Sequence, residues 1–154
     1  MDMKLDQEFL EKLQTQIIED AKKVYSEKVV ERWLSPRNMG KIENPHGFGR
    51  ITGPCGDTME ISLMIDKDRL CEVKFLTDGC ITSLASGSMA TELAVGKTVS
   101  EALKIGQQII LENLGGLPPE SEHCALLASD TLKEALRDYL ANKREPWKKA
   151  YKNQ

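Results

Sequence analysis

The sequence predicts an α+β domain. Two observations carry this. Period-two alternation is confined to one stretch, residues 59–75, and helical periodicity fills the segments on either side. Strand signals that fall together, and helix signals that fall together, indicate an α+β arrangement rather than alternating β–α units. At 154 residues the chain has the length of one domain and enough of it to bury a core.

The elements follow in order. Over residues 6–25, Leu10, Leu13, Ile17, Ala21 and Val24 share one face at 3.6 spacing, which predicts an amphipathic helix; packing on its own domain is the first expectation for that face, with self-association and partner binding as the alternatives. Val29, Val30, Trp33 and Leu34 form a second apolar cluster. "SPRNMG" (35–40) stops it, because Pro36 disfavours helical geometry at Ser35 and Gly40 marks a turn. Residues 41–56 are Gly-rich with Pro45 and Pro54, and read as a loop with a short strand at 49–52. Met59, Ile61, Leu63 and Ile65 then alternate with Glu60, Ser62 and Asp66, and Cys71, Val73 and Phe75 with Glu72 and Lys74. "DKD" (66–68) joins the two runs, so they predict a β-hairpin with one buried face and Cys71 on it. Residues 80–95 are Ser/Ala-rich and helix-like, and Gly96 ends them. Thr98 and Glu101 make a capping box that opens another helix. "GGLPP" (115–119) is a break. From His123, the residues Ala128, Leu132, Ala135, Leu136, Tyr139 and Leu140 mark a last amphipathic helix. Residues 141–154 hold five Lys/Arg and one acid, which reads as a solvated basic end.

Composition narrows the function. A net charge of −3 gives no basic field for nucleic acid. No apolar run approaches the roughly 18 residues of a membrane span. The first 20 residues are acidic and lack Arg, unlike a signal or transit peptide, so a cytoplasmic location is the default expectation. Such a chain has no need of disulfides, and its four cysteines are better read as ligands, catalysts or core. "GKT" (96–98) is a helix stop and start and not a phosphate loop, because Thr91 stands where the earlier Gly would be needed. His46, in "NPHGFG", reads as a solvated loop residue.

Three cysteines share a setting. Cys55 lies in the Gly-rich loop before a strand, Cys80 follows "TDG" at a strand-to-helix junction, and Cys124 opens the last helix. Such junctions leave side chains accessible, and free N–H groups at a helix start lower a thiol's pKa, so Cys80 and Cys124 are expected to be thiolate-rich. Asp57 lies two residues from Cys55, and His123 adjoins Cys124. Three thiolates, a carboxylate and an imidazole suit zinc or an iron–sulfur cluster. The spacing, C-x24-C-x43-C, is not a CxxC-type signature, and free cysteines also serve as small core residues. That plainer reading suits Cys71. It suits Cys55 badly, because Gly and Asp neighbours do not build a core.

The segments themselves are more specific. "GPCGDTMEISLMI" (53–65), "DGCITSLASGSMATELAVGKTVSEAL" (78–103) and "LPPESEHCALLASDTLKEALRDY" (117–139) resemble the three cysteine segments of the IscU/NifU-type iron–sulfur cluster scaffold proteins. "YSEKVVERWLSPRNMG" (25–40) resembles the family's N-terminal segment. The resemblance implies a three-stranded antiparallel sheet with helices packed on one side and the cysteine loops meeting at one end. The scaffold domain would then be residues 25–142, with a helical extension at 1–24 and a basic tail at 143–154. It implies that Cys55, Cys80 and Cys124 are cluster ligands and sulfur acceptors, with Cys124 taking persulfide from a cysteine desulfurase. Asp57 and His123 match the family's other two site positions. The implied cargo is a labile [2Fe–2S] cluster, with Zn2+ at the same site in its absence. The implied partners are the desulfurase, apo iron–sulfur or carrier proteins, and a second copy in a homodimer. Such a protein is a carrier and not an enzyme in the turnover sense.

The chain departs from the family pattern in one segment. The chaperone-recognition stretch normally reads Leu-Pro-Pro-Val-Lys, and here it is Leu117-Pro118-Pro119-Glu120-Ser121. An acid and a hydroxyl in place of an apolar residue and a cation argue against an Hsp70-type chaperone built for that cation. A related branch, the SufU-like zinc-dependent sulfur-transfer proteins, usually carries an insertion between the second and third cysteine segments and lacks the His. The short interval here and His123 favour the cluster-scaffold branch.

Overall fold

The computed structural model describes residues 3–145. Three strands, β1 (Gly47–Thr52), β2 (Thr58–Asp66) and β3 (Arg69–Thr77), form one antiparallel sheet in the order β1-β2-β3. The helices are α1 (Met3–Val24), α2 (Glu27–Leu34), α3 (Ile81–Ala94), α4 (Val99–Ala102), α5 (Gln107–Leu114) and α6 (Glu122–Arg144), with a 3₁₀ turn at Pro119–Ser121 before the last. α6 lies across β1 and β2, and α3 across β3. Between helices and sheet lies a core of Met59, Ile61, Leu63, Val73 and Phe75 from the strands, with Ala85, Ala90, Ala128, Leu132 and Leu136 from α3 and α6. The α+β reading and the one-sided packing of helices hold.

Close approach of α6 to β1 depends on glycine. A Cβ added at Gly49 would stand 2.6 Å from the Ala135 nitrogen and 2.6 Å from the Thr131 carbonyl oxygen, closer than any side chain tolerates. The expected strand at 49–52 therefore extends back to Gly47: the glycines that suggested a loop are what lets the strand lie against the helix.

The hairpin turns through Lys67 and Asp68, both at positive φ (51° and 66°), between the paired Asp66 and Arg69. The expected alternation fails at one point. β3 carries an extra residue where Ile65 pairs with Leu70 while Met64 pairs with Glu72, and that residue is Cys71. The bulge turns Leu70 into the core and Cys71 out of it, so Cys71 is exposed, with its Sγ 3.4 Å from the Met64 carbonyl oxygen. The core reading of Cys71 is corrected. His46 is corrected too. It is half-buried, and its Nδ1 accepts the Ile65 N–H at 2.9 Å, satisfying the backbone at the same bulge.

Other boundaries follow their caps. Ser26 caps α2, accepting the Val29 N–H at 3.2 Å while its hydroxyl donates to the Leu114 carbonyl. The Thr98–Glu101 capping box is present but opens only the single turn of α4, and α5 begins separately after Gly106. Gly115, at φ 78°, ends α5 within the expected break. Glu92 of α3 ties α2 and the turn after it to α3. It takes Arg32 Nε at 2.9 Å, Arg37 Nη1 at 2.6 Å and the Ser88 hydroxyl at 2.9 Å. Burial opposes its ionisation, but these donors hold its carboxyl below the usual carboxylate range.

The N-terminal helix departs from expectation. α1 forms, yet its apolar stripe does not pack on the domain: Leu10, Leu13, Ile17 and Val24 remain 46–62% exposed, and Ala21 is the stripe's one buried member. The main contact of α1 is with α2, which follows it directly. Of the expected basic tail, Lys143 and Arg144 close α6, and residues 146–154 lie outside the described residues.

Candidate metal centre

The site forms where one loop and two helix starts meet. Cys55 sits exposed in a tight turn, closed by the Gly53 N–H on the Asp57 carbonyl (2.8 Å) and the Gly56 N–H on the Gly53 carbonyl (3.0 Å). Asp57 ends that turn just before β2. Cys80 is the N-cap residue of α3 and is exposed. His123 and Cys124 lie in the first turn of α6.

Two buried hydroxyls connect three of the five expected residues, and a fourth, His123, lies against one of the three. The Thr82 Oγ1 lies 3.2 Å from Cys80 Sγ and 3.2 Å from Cys124 Sγ. The Ser83 hydroxyl donates to Asp57 Oδ2 at 2.9 Å and stands 3.5 Å from Cys124 Sγ. His123 Nε2 is 3.7 Å from the same sulfur. Asp57, Cys80, His123 and Cys124 are thus brought together, while Cys55 stands exposed in the turn that Asp57 ends. They are not drawn into a coordination shell: among the described residues, no three His, Cys, Asp or Glu side chains are spaced to share an ion.

The two helix-start cysteines differ, against expectation. Cys124 is 2% exposed, because it falls on the inner face of α6 one turn before Ala128. Burial pushes its thiol up; the Ser83 and Thr82 hydroxyls offset this only in part, and Cys80 and Asp57 add to the rise. Cys80 goes the other way. Burial works against its thiolate, but the Thr82 hydroxyl and the backbone amides of Thr82 and Ser83 outweigh it and lower the pKa. The amides face the sulfur without closing a capping hydrogen bond. The expected accessibility and low pKa therefore hold for Cys80 and are corrected for Cys124.

Reactivity should follow. With iodoacetamide near neutral pH, Cys80 is expected to react at least about tenfold faster than Cys124. The gap should narrow as pH rises, since Cys80 ionises below the ordinary thiol range and Cys124 above it. Peptide-resolved mass spectrometry reads this, and earlier labelling of Cys124 would refute it.

Sequence reasoning missed Thr82, Ser83 and Gly79. The available signal was Ser83 itself, three residues after the N-cap Cys80, where a first-turn side chain can reach back. Gly79 is required by what it adjoins. A Cβ there would stand 2.4 Å from Ser83 Oγ and 2.9 Å from Asp57 Oδ2.

A three-stranded sheet backed by helices, with thiols, a carboxylate and an imidazole brought near one another at two helix starts, defines an α+β domain with a thiol-rich candidate site. Residues 24–146 match the NifU-like N terminal domain, and the chain belongs to that family. It is 47% identical over 117 residues to iron-sulfur cluster assembly scaffold protein IscU 1 of Archaeoglobus fulgidus, covering 75% of this chain and 76% of that protein. To the scaffold protein IscU of Azotobacter vinelandii it is 42% identical over 120 residues, covering 75% and 93%. Among solved structures, a putative iron-sulfur cluster assembly scaffold protein for the SUF system from Fervidobacterium islandicum aligns with a TM-score of 0.59. It is 28% identical, covering 73% of this chain and 96% of that one. The family match begins at Val24, so nearly all of α1 lies outside it. No helix among the described residues is long and apolar enough to cross a membrane.

Proposed function

We propose that this chain is a scaffold on which a labile [2Fe–2S] cluster is assembled and from which it passes to apo-proteins. The observation that carries the reading is the hydroxyl-linked group of Asp57, Cys80 and Cys124, with His123 against Cys124 and Cys55 exposed in the turn that Asp57 ends, in a chain whose relatives are named as cluster assembly scaffolds. The cluster is cargo. Cys55, Cys80 and Cys124 supply soft thiolates, and His123 or Asp57 completes the shell with a harder donor. Four thiolates would close the site lastingly, whereas three and one harder donor leave it able to open.

Sulfur arrives as persulfide. The Cys124 thiolate attacks the outer sulfur of a cysteine desulfurase persulfide; one S–S bond forms as another breaks, and the desulfurase thiolate leaves. The burial of Cys124 means that docking of the desulfurase must uncover it. Iron, and the electrons that reduce persulfide to sulfide, come from outside this chain. The scaffold domain is residues 25–142, with 1–24 an extension and 143–154 a basic tail. The partners are the desulfurase, apo iron–sulfur or carrier proteins, and a second copy of the chain. With Glu120 exposed in the 3₁₀ turn and Leu117 buried, an Hsp70 selective for a cation finds little to hold.

Anaerobic reconstitution with ferrous iron, cysteine and a desulfurase, followed by an apo-ferredoxin, tests the reading. A visible chromophore that moves to the ferredoxin is the expected result. Faster desulfurase turnover with zinc retained and no chromophore would replace it with a zinc-dependent sulfurtransferase. Inertness in both arms would leave a structural zinc module.

A further inference from the structure

We propose that Ser83 is a positioning residue that fixes the Asp57 carboxylate over Cys124, so that the loop carrying Cys55 and the start of α6 act as one site. The inference rests on the metal-site reading above and extends it to a residue outside the ligand set. Ser83 is fully buried and has a single hydroxyl proton for two neighbours, Asp57 Oδ2 at 2.9 Å and Cys124 Sγ at 3.5 Å. The short contact to the carboxylate oxygen is the stronger, so Asp57 takes the larger share of the proton and Cys124, at 3.5 Å, the smaller.

The geometry around this bond is built for it. Ser83 is on α3, Asp57 on the turn before β2 and Cys124 on α6, so one hydroxyl bridges three elements. Gly79 leaves the space in which the Ser83–Asp57 pair sits, and a methyl at that position would meet both partners. The turn that carries Cys55 is otherwise closed by its own two backbone hydrogen bonds and, at its base, by the Thr52 and Thr58 hydroxyls 2.8 Å apart, and a side chain added at Gly56 would meet open space. Without Ser83, the carboxylate and the turn behind it lose their anchor on α3. Thr82 does not substitute, because its hydroxyl is placed between the two sulfurs.

The test is a double-mutant cycle with zinc alone as the probe, read by competition with a chromophoric chelator. Outer partners of metal ligands typically contribute 10–100-fold in affinity, so Ser83→Ala is expected to weaken zinc binding by about tenfold. Asp57→Ala should weaken it at least as much. If Ser83 acts through Asp57, the double variant should match Asp57→Ala within about twofold. A second readout needs no metal: amide hydrogen exchange at Gly53 and Gly56 should speed up about tenfold in Ser83→Ala, because the tie holding their turn is gone. Wild-type zinc affinity in Ser83→Ala, or an undiminished further loss in the Asp57→Ala background, would overturn the positioning role while leaving the metal site intact. If the unaltered protein takes up no zinc, the metal-site reading is what fails. The exchange measurement then still decides whether Ser83 anchors the turn, and unchanged exchange would count against it.

Discussion

Under conditions in which the unaltered protein takes up a cluster, Cys55→Ala, Cys80→Ala and Cys124→Ala are each expected to stay nearly colourless after anaerobic reconstitution. Outer partners alone contribute 10–100-fold to metal affinity, so removing a thiolate ligand should lower chromophore yield by about tenfold or more. Cys71→Ala should yield as much chromophore as the unaltered chain, because Cys71 points outward from the hairpin bulge. Absorbance after desalting reads all four variants. A Cys55→Ala protein with full chromophore would remove Cys55 from the site, and it is the cysteine for which this matters most, since its placement rests on the turn it shares with Asp57.

The same variants separate sulfur acceptance from cluster holding. Mass spectrometry after incubation with desulfurase and cysteine, without iron, should find persulfide on Cys124 in Cys55→Ala and Cys80→Ala, and none in Cys124→Ala. This order is the reverse of that expected for a small alkylating agent, which should find Cys80 first. The difference is what burial predicts. A small reagent selects the thiol that is exposed and ionised in the free protein, and a docked partner selects the thiol that its docking uncovers.

Much of the fold was legible because hydrophobic period and caps are local properties. The alternation of Met59, Ile61, Leu63 and Ile65, the Thr98–Glu101 box and the break at 115–119 each depend on a few neighbours in the chain. The failures are non-local. Gly47 reads as a loop residue until α6 lies on it. Cys71 reads as core until the bulge between Met64 and Ile65 shifts the pairing. The stripe on α1 reads as a packing face, but periodicity shows only that a face exists and not what covers it. At the candidate site, five residues were named from their segments, and the structure brings Asp57, Cys80, His123 and Cys124 together. The burial of Cys124 and the hydroxyls of Thr82 and Ser83 were not, because they depend on how α3 meets α6.

Replacing Asp57 by Ala is expected to slow delivery of a bound cluster to apo-ferredoxin by about tenfold, on the scale of effects seen when groups around a metal site are removed. Two effects act in this direction. Asp57 is a hard oxygen donor among soft thiolates, so it competes for iron without matching its preference in a sulfur-rich cluster. Its charge also bears on the thiols. Burial is the largest influence disfavouring the thiolate at both Cys80 and Cys124, and the Asp57 carboxylate adds to it at each. Without that charge the thiolates are easier to form and hold the cluster more firmly. The single-zinc and cluster experiments should therefore diverge for Asp57→Ala, with zinc held more weakly for want of a ligand and the cluster retained longer for want of a competitor. Ser83→Ala should move both readouts in the same directions, since it leaves Asp57 present but unplaced. Circular dichroism of the acceptor ferredoxin follows the transfer. Delivery by Asp57→Ala at the wild-type rate would mean that the site opens by some other route, with His123, 3.7 Å from Cys124, the next group to test.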